Sequence, residues 1–349
     1  MVEKPSGSPM KIFRKSSDLL TDEAIGDWLR ELRGRPYVPE SGFDVTAVIR
    51  SRLGSTDGYY FGGVNVENPD HRISTHGEEG SLAAMVTALG IEAEILEVWL
   101  MGAPSGLEKG TSDSLAQAGI TCCGKCRQQL TNFAGESTPI HSIALNGAIS
   151  TTALGTLLPN QFTFRQFRPE ALSRVPEVPH PPSVEQVERR LVRFEETMSQ
   201  DAILGWLDSL QSADLATDIS DAVVLKLGNG TYVSGVKIEE AAYVDMSAIQ
   251  CAVAIATGEF GKQDVHEVWS LSRGRGAKGL VEQGFQPLTL SSVQVLLQFA
   301  VHSDIPVYLV NGQGDCRPTS LSDSFALAPR FSEPAPGAEQ AADGRNFRS

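Results

Sequence analysis

Two stretches of the chain carry the same helical pattern of apolar residues. Residues 24–32 and 202–210 both follow A-I-x-x-W-L-x-x-L, which repeats apolar side chains at the i, i+3, i+4 and i+7 positions. That spacing places them on one face of an α-helix, and such a face is expected to pack in a core. The pattern therefore predicts two equivalent helices, with Trp28 and Trp206 buried at matching positions.

Each predicted helix is followed by segments that alternate apolar and polar residues, as strands do. Residues 60–67 align with residues 232–239, and the tripeptide E-V-W recurs at 97–99 and 267–269. Similarity between two long stretches of one chain indicates an internal repeat. The sequence therefore predicts two related domains in tandem.

The mixture of helix and strand patterns predicts an α/β protein with two α/β/α domains, each a mixed sheet with helices on both faces. Proline-rich residues 169–182 are typical of a stiff connector, and the polar ends of the chain are typical of disordered tails. The expected parts are a tail at 1–17, a first domain at 18–168 (the first half), the connector, a second domain at 183–331 (the second half) and a tail at 332–349.

Candidate chemistry is concentrated in two motifs of the first half, H-G-E and C-G-K-C-R-Q. Neutral imidazole and thiolate are zinc ligands, so His76, Cys123 and Cys126 can hold zinc and leave a fourth tetrahedral position open for water. Glu78 need not bind the metal, and a glutamate two residues after the histidine is the proton shuttle of zinc deaminase signatures. Together the motifs predict a hydrolytic zinc site.

Each motif also has a plain structural interpretation. Thr75-x-x-Glu78 fits a capping box that starts a helix reaching Leu89, with one buried face and Gly90 at its end. A lone C-x-x-C pair fits a redox couple or half of a structural zinc site. A joint site is favoured because each motif opens a predicted helix, with strand-like residues 95–101 between them. Two helix N-termini can then converge on one metal.

Five motifs of the first half resemble, in the same order, those of the cytidine deaminase family, and specifically of its long two-domain homodimeric branch. The similarity extends over most of residues 18–330. The motifs are S-G-F-D-V at 41–45, F-G-G-V-N-V-E-N at 61–68, H-G-E at 76–78, C-G-K-C-R-Q at 123–128 and L-L-P-N-Q-F at 157–162.

The sequence also departs from that family pattern. Thr46, Gly77 and Cys122 stand where the family carries glycine, alanine and proline, and an insertion spans residues 104–120. These departures leave the candidate metal ligands intact. They are instead expected to change details of the substrate pocket.

The resemblance implies the deaminase fold with a mixed five-stranded sheet, and zinc-dependent release of ammonia from cytidine or deoxycytidine, as in pyrimidine salvage. It assigns Asn65 and Glu67 to the ribose hydroxyls, Phe43 to the base, and Phe162 to a neighbouring subunit's pocket. Phe43 also fits a core position. Glu67 also fits a solvent-facing strand position, because the repeat keeps Glu239 opposite it.

The second half lacks this chemistry. Carrying the repeat forward puts Val244 and Met246 opposite the histidine and the glutamate, and Thr289 and Ser292 opposite the two cysteines. These side chains do not make a hydrolytic zinc site. We therefore expect one zinc per chain, in the first half. The resemblance implies that the second domain is degenerate and that the chain forms a homodimer.

Composition narrows the class of partner. The 349 residues carry a formal charge of −14, which argues against nucleic acid because phosphate binding needs clustered lysine and arginine. No apolar run approaches the roughly 20 residues of a membrane span, and residues 1–10 lack a signal-peptide core. The cysteines cluster at 122–126, which fits metal binding in a reducing compartment better than disulfides. We expect a cytoplasmic enzyme that acts on a small nucleoside.

Three other functions stay open from the sequence alone. A deaminase of a modified or antibiotic cytosine nucleoside would use the same site, and the departures from the family pattern make it the second choice. A polynucleotide deaminase fits the acidic charge poorly. A zinc-binding module without activity would need a fourth protein ligand, and Cys122, next to Cys123, is badly placed to be one.

Overall fold

Two six-stranded mixed sheets form the framework of the protein, one from each half of the chain. The computed structural model describes residues 9–108, 114–163, 181–195, 197–210, 219–240, 245–274 and 285–324. Helices flank both sheets, so the predicted α/β fold class is confirmed.

The first half orders its strands β1-β3-β2-β4-β5-β6, with β4 and β5 parallel and the other neighbours antiparallel. A short 3-10 helix, His71–Ile73, precedes the second α-helix. The elements are β1 (Phe13–Lys15), α1 (Asp22–Leu32), β2 (Phe43–Leu53), β3 (Thr56–Val64), α2 (Gly77–Leu89), β4 (Ala93–Pro104), α3 (Ser114–Gln117), α4 (Gly124–Leu130), β5 (Pro139–Ile143), β6 (Ile149–Ala153) and α5 (Leu154–Leu157).

The elements of the second half are α6 (Val184–Leu191), β7 (Val192–Arg193), α7 (Gln200–Leu210), β8 (Ile219–Leu227), β9 (Tyr232–Val236), α8 (Ala248–Phe260), β10 (Val265–Gly274), α9 (Leu290–Phe299), β11 (Pro306–Val310), β12 (Cys316–Ser320) and α10 (Leu321–Ser324). The strand order is β7-β9-β8-β10-β11-β12, again with one parallel pair, β10 and β11. The connectivity of the two sheets therefore confirms the predicted repeat.

Matching contacts confirm the repeat in detail. A Cβ at Gly63 on β3 would lie 2.0 Å from the Ser81 nitrogen of α2, and one at Gly235 on β9 would lie 2.4 Å from the Ala252 nitrogen of α8. Glycine is required at both positions because a side chain would collide with the helix backbone. The two tryptophans of the repeated helix pattern are each 1% exposed, as predicted.

The amino-terminal segment differs from the prediction of a disordered tail at 1–17. β1 pairs with β3, and the neighbouring Met10 and Ile12 are at most 2% exposed. β1 and β7 are the sixth strands of their sheets, where the resemblance implied five. They have 3 and 2 residues, which is too short to give an alternating pattern that identifies a strand from sequence.

The helices α2 and α8 pack against each other at the contact between the two halves. All 13 residues of α2 are buried, where the sequence predicts a single buried face. The difference arises because β2 and β3 cover one side of α2 while α8 and β9 of the second half cover others. A helix enclosed in this way is expected to be apolar all round. It ends at Gly90, as predicted.

An isolated bridge before each of these helices aligns the two halves. Val66 pairs with Thr75 in the first half, and Ile238 pairs with Met246 in the second. Met246 therefore matches Thr75, and its predicted match to the glutamate of H-G-E is wrong. The sequence alignment places the match to His76 three residues before the position that the structure gives. The reason is that the loop between strand and helix has no periodic pattern that fixes its length.

The helix caps give the corrected alignment. Ser247 is the N-cap of α8 as His76 is the N-cap of α2, and Ile249 takes the place of Glu78. Val244, predicted to match the histidine, lies outside the described residues. A hydroxyl and an aliphatic side chain thus stand in the places of the candidate metal ligand His76 and of the carboxyl group of Glu78.

The predicted match between the two cysteines and the pair Thr289 and Ser292 is confirmed. Thr289 is the N-cap of α9, and Ser292 is its third residue. Cys123 and Cys126 hold the same two positions on α4. The second half therefore repeats the helix starts of the first half with hydroxyl groups in place of sulfur.

The domain boundaries stay predictions. Residues 1–8, most of the connector at 169–182 and the tail at 332–349 lie outside the described residues. Within the described part of the chain, none of the helices combines the length and apolar character needed to cross a membrane.

Candidate metal centre and active site

Two helix starts bring three side chains that could bind a metal close together. His76 caps α2, Cys123 caps α4, and Cys126 lies in the first turn of α4. Nδ1 of His76 lies 3.2 Å from Sγ of Cys123 and 3.3 Å from Sγ of Cys126, and the two sulfurs are 3.6 Å apart. We call these three residues the ligand triad.

The geometry of the ligand triad fits zinc. Bonds of about 2.3 Å to sulfur and about 2.1 Å to nitrogen, at tetrahedral angles, place ligand atoms about 3.5 to 3.8 Å apart. The observed separations of 3.2 to 3.6 Å are close to that range. Among the described residues, no fourth histidine, cysteine or carboxylate joins the group. Three protein ligands with one open position are typical of catalytic zinc, whereas structural sites are closed by four.

A buried ion pair ties the two helix starts together. Glu79 is 1% exposed, and its Oε2 accepts a hydrogen bond from the backbone nitrogen of His76 at 2.8 Å. Nζ of Lys125, between the two cysteines of α4, lies 2.9 Å from Oε1 of Glu79 and donates to the carbonyl of Ser74 at 3.2 Å. Sequence reasoning missed this pair. The available signal was the extra acid in H-G-E-E and the base in C-G-K-C.

Glu79, rather than Glu78, completes the cap of α2. The predicted capping box Thr75-x-x-Glu78 is wrong because the helix starts one residue later, after the cap at His76. Glu78 lines a cleft beside the ligand triad and is 4% exposed. Burial raises the pKa of its carboxyl group, which suits a group that accepts and returns a proton.

The two thiols of the ligand triad have opposite acidities. Hydrogen bonding with Cys126 and with His76 lowers the pKa of Cys123 to about 3. The same contacts raise the pKa of Cys126 and the pKa of the His76 imidazole. A metal held by both sulfurs would bind them as thiolates.

A cleft of about 350 Å³ opens onto the ligand triad. That volume is within the range of small-molecule sites. Cys126 is 1% exposed and lies behind the cleft wall. Most of the site residues predicted from the sequence line this cleft, namely His76, Glu78, Cys123, Phe43, Asn65 and Glu67.

Asn65 and Glu67 use part of their hydrogen-bonding capacity on the cleft wall. Oδ1 of Asn65 accepts from the nitrogen of Val45 at 2.8 Å, and its Nδ2 donates to the carbonyl of Phe43 at 2.9 Å. Oε2 of Glu67 accepts from the backbone nitrogens of residues 40–41 at 2.9 and 3.2 Å. An amide has two N–H groups and a carboxylate two oxygens, so both side chains keep capacity for a ligand.

Phe162 lies away from this cleft, with its side chain 46% exposed. Its carbonyl accepts a hydrogen bond from Nε2 of Gln128 at 2.5 Å. The cleft instead includes His71, Ile120 and Thr121, which sequence reasoning missed. The only signal for the last two was their place at the end of the insertion.

Two departures from the family pattern have structural explanations. Thr46 is fully buried and donates from Oγ1 to the carbonyl of Leu29 at 3.2 Å. A Cβ at Gly77 would lie 3.0 Å from the carbonyl oxygen of Val45, so an alanine there would need the strand to shift. Neither residue lines the cleft. Cys122 is also fully buried, and burial raises the pKa of its thiol.

Comparison with known proteins gives matches to cytidine deaminases. No family model matches the chain. A cytidine deaminase from Sporosarcina psychrophila is 26% identical to it over 134 residues, which is 38% of this chain and 85% of that protein. The crystal structure of cytidine deaminase from Burkholderia pseudomallei is 25% identical, covers 41% of this chain and 100% of its own, and has a TM-score of 0.34. The corresponding values for cytidine deaminase from Mycobacterium leprae are 23%, 40%, 99% and 0.30. Over 38% of its length, the chain is therefore similar in sequence to a cytidine deaminase.

Proposed function

We propose that this protein is a zinc-dependent deaminase that hydrolyses cytidine or deoxycytidine to uridine or deoxyuridine and ammonia. The proposal is carried by one observation: the buried carboxyl of Glu78 lines the same cleft as His76 and Cys123, two members of an open three-ligand group. A purely structural zinc site needs neither an open position nor a carboxyl beside it. Homology to a cytidine deaminase supports a cytidine-like substrate.

His76, Cys123 and Cys126 would hold the metal. Bound there, zinc would act as a Lewis acid and make water a stronger nucleophile near neutral pH. The protein prepares its ligands for this role, because both helix starts favour negative charge and the Glu79 and Lys125 pair fixes their separation. We propose one zinc per chain, since the matching helix starts of the second half carry only hydroxyl groups.

Glu78 moves the protons of the reaction. Deamination forms a bond from C4 of the base to a water oxygen and breaks the bond from C4 to the exocyclic amine. Glu78 accepts a proton from the attacking water and gives it to ring atom N3, and it then carries a second proton to the amine, which leaves as ammonia. Because Glu78 is almost fully buried, bulk water does not compete for these protons.

The remaining cleft residues orient the nucleoside. We propose that Asn65 and Glu67 bind the ribose hydroxyls with the capacity they keep, and that Phe43 packs against the base. Free cytosine lacks a sugar, so it would leave these polar groups unpaired. A site built in this way rejects such a compound strongly.

We also propose the wider setting of the enzyme. The two sheets of equal strand order support a chain of the long branch, with a first domain at 18–168 and a degenerate domain at 183–331. Phe162, 46% exposed, would complete the cleft of a neighbouring chain in a homodimer, which is the commonest closed assembly. Pyrimidine salvage in the cytoplasm is the corresponding cellular role.

A modified or antibiotic cytosine nucleoside is the second candidate substrate. The observation that favours it is the presence of Ile120 and Thr121 in the cleft wall, at the end of the insertion. Thr46 and Gly77 give it no support, because they do not line the cleft. Of these departures, the insertion is the one that reaches the cleft wall.

A release assay for ammonia tests the proposal. The purified full-length chain, with its metal content measured, is incubated with cytidine, deoxycytidine, cytosine and base- or sugar-modified cytosine nucleosides. We expect turnover of cytidine or deoxycytidine, none of free cytosine, and loss of turnover on treatment with a zinc chelator. Turnover of modified nucleosides alone would favour the second candidate. A zinc-loaded chain that releases no ammonia from any of them would overturn the proposal in favour of a zinc-binding module.

A further inference from the structure

The helix that carries both cysteines is held from behind by the second half. Nε2 of Gln128 on α4 lies 2.7 Å from Oε1 of Glu240. Just beyond the helix, Nδ2 of Asn132 donates to the carbonyl of Glu239 at 3.3 Å. Glu240 is 3% exposed and Glu239 is 8% exposed, so both contacts are shielded from water. Two consecutive residues of the second half therefore fix one side of α4.

A cluster of charges holds this segment of the second half in place. The backbone nitrogen of Glu240 donates to Oδ1 of Asp245 at 2.7 Å. Nζ of Lys237 lies 2.9 Å from Oε1 of Glu239. Lys237 occupies the position of Asn65 in the repeat, which lines the cleft of the first half. A position that lines the cleft in the first half is thus occupied, in the second half, by a lysine that pairs with Glu239, one of the two residues in contact with α4 or the residues that follow it.

Gln128 passes the contact on to a third segment. Besides Glu240, its Nε2 donates to the carbonyl of Phe162 at 2.5 Å. A carboxylate and a carbonyl are both acceptors, and the side-chain amide has two N–H groups to satisfy them. Through Gln128, Glu240 is therefore linked both to α4 and to the L-L-P-N-Q-F segment.

The equivalent contact, from the first half to a helix of the second half, is weaker. Across the repeat, Nδ2 of Asn68 in the first half lies 3.5 Å from the carbonyl of Gln294 on α9. It joins two neutral groups at the limit of a hydrogen bond, whereas the contact to α4 uses a buried carboxylate at 2.7 Å. Hydrogen bonds to charged groups are about twice as strong as neutral ones. The stronger contact is the one made to the helix that carries cysteines.

We propose that Glu240 is a positioning residue for the metal centre: through Gln128 it holds α4, and hence Cys123 and Cys126, at the distance from His76 that zinc requires. The inference rests on the proposed zinc site. It gives the second half a defined part in that site, although Glu240 touches neither metal nor substrate.

The test compares zinc affinity among full-length variants, measured by competition with a chromogenic chelator at fixed pH. Glu240→Ala removes the acceptor, and Glu240→Gln keeps an oxygen acceptor of the same shape. Glu259→Ala is the matched control: Glu259 is a buried carboxylate of the second half that also bonds to the first, accepting from the backbone nitrogens of Lys11 and Ile12 at 2.8 and 3.1 Å. Thermal melting shows that each variant is folded.

We expect Glu240→Ala to weaken zinc binding by about tenfold, in line with other residues that orient metal ligands. Glu240→Gln is expected to restore most of the affinity. Glu259→Ala should lower the melting temperature and leave zinc affinity at the wild-type value. Wild-type affinity in folded Glu240→Ala, or an equal loss of affinity in Glu259→Ala, would overturn the inference and leave the zinc site intact. A wild-type chain that binds no zinc would overturn the proposed function as well.

Discussion

The first half and the second half share a fold and differ in what occupies the space at the start of their central helices. In the first half, Asn65, Glu67 and Glu78 surround an open cleft. At the matching place in the second half, Lys237 and Glu239 form an ion pair, and an isoleucine stands in the place of the carboxyl group. The positions that line the cleft in the first half thus carry, in the second half, an ion pair and an aliphatic side chain.

This difference shows how few residues separate a site from a scaffold. Strand order, the close approach of strand and helix at Gly63 and Gly235, and the N-terminal caps are common to both halves. The chemistry depends instead on a handful of side chains at two helix starts. Fold and function are thus carried by different positions of the same repeat.

The largest expected effect comes from removing a ligand. Cys126→Ala should reduce bound zinc from about one per chain to nearly none and abolish turnover, because two ligands do not hold zinc tightly. Ser292→Ala, at the same place on α9, should leave zinc content unchanged. Metal analysis of the purified proteins decides it. Close to two zinc ions per wild-type chain would break the contrast between the halves.

The next largest effect is expected at the proton-transfer residue. Glu78→Gln should keep its zinc and slow ammonia release by about 10² to 10⁴, because an amide does not exchange protons as a carboxyl does. Ile249→Val, at the matching position of α8, serves as the control with unchanged rate. Wild-type turnover in a zinc-loaded Glu78→Gln protein would remove Glu78 from the mechanism.

A moderate effect is expected at the ion pair that joins the helix starts. Lys125→Met leaves the carboxylate of Glu79, 1% exposed, without its cation, and should lower the free energy of unfolding by about 3 kcal/mol. Adding Glu79→Gln reproduces the neutral glutamine found at this position in the second half and should recover part of that loss. Urea unfolding measures both. Equal stabilities of the single and double variants would show that the buried charge carries no cost.

The smallest effect concerns pH and the second half. Burial raises the pKa of Asp221, which takes the place of Val45 in the repeat. A raised pKa in the folded state means that ionisation of Asp221 lowers stability as pH rises above the ordinary value of about 3.9. Asp221→Asn should therefore be more stable than wild type near pH 7, by up to about 1 kcal/mol, and the gain should shrink toward pH 4. Melting curves of Asp221→Asn and of the exposed control Asp208→Asn across this range test it, and equal gains in both would contradict it.

The sequence predicts the fold class, the repeat and the ligand motifs because each leaves a periodic or closely spaced pattern. It fails where three-dimensional contact decides. The strand at Phe13–Lys15 is too short for a pattern, and the cap of α2 depends on which of two adjacent glutamates reaches the backbone of His76. Lys125 and Glu240 act through partners 46 and 112 residues away, and no local pattern encodes such a pairing.

The burial of α2 beneath α8 has a consequence for synthesis of the protein. The ribosome completes the ligand triad at Cys126, but α8 ends at Phe260. At about 5 to 20 residues per second, the covering helix follows roughly 7 to 27 seconds later. During that interval the nascent first half presents an uncovered apolar side of α2, and we expect chaperones to bind it and zinc loading to wait for the end of translation.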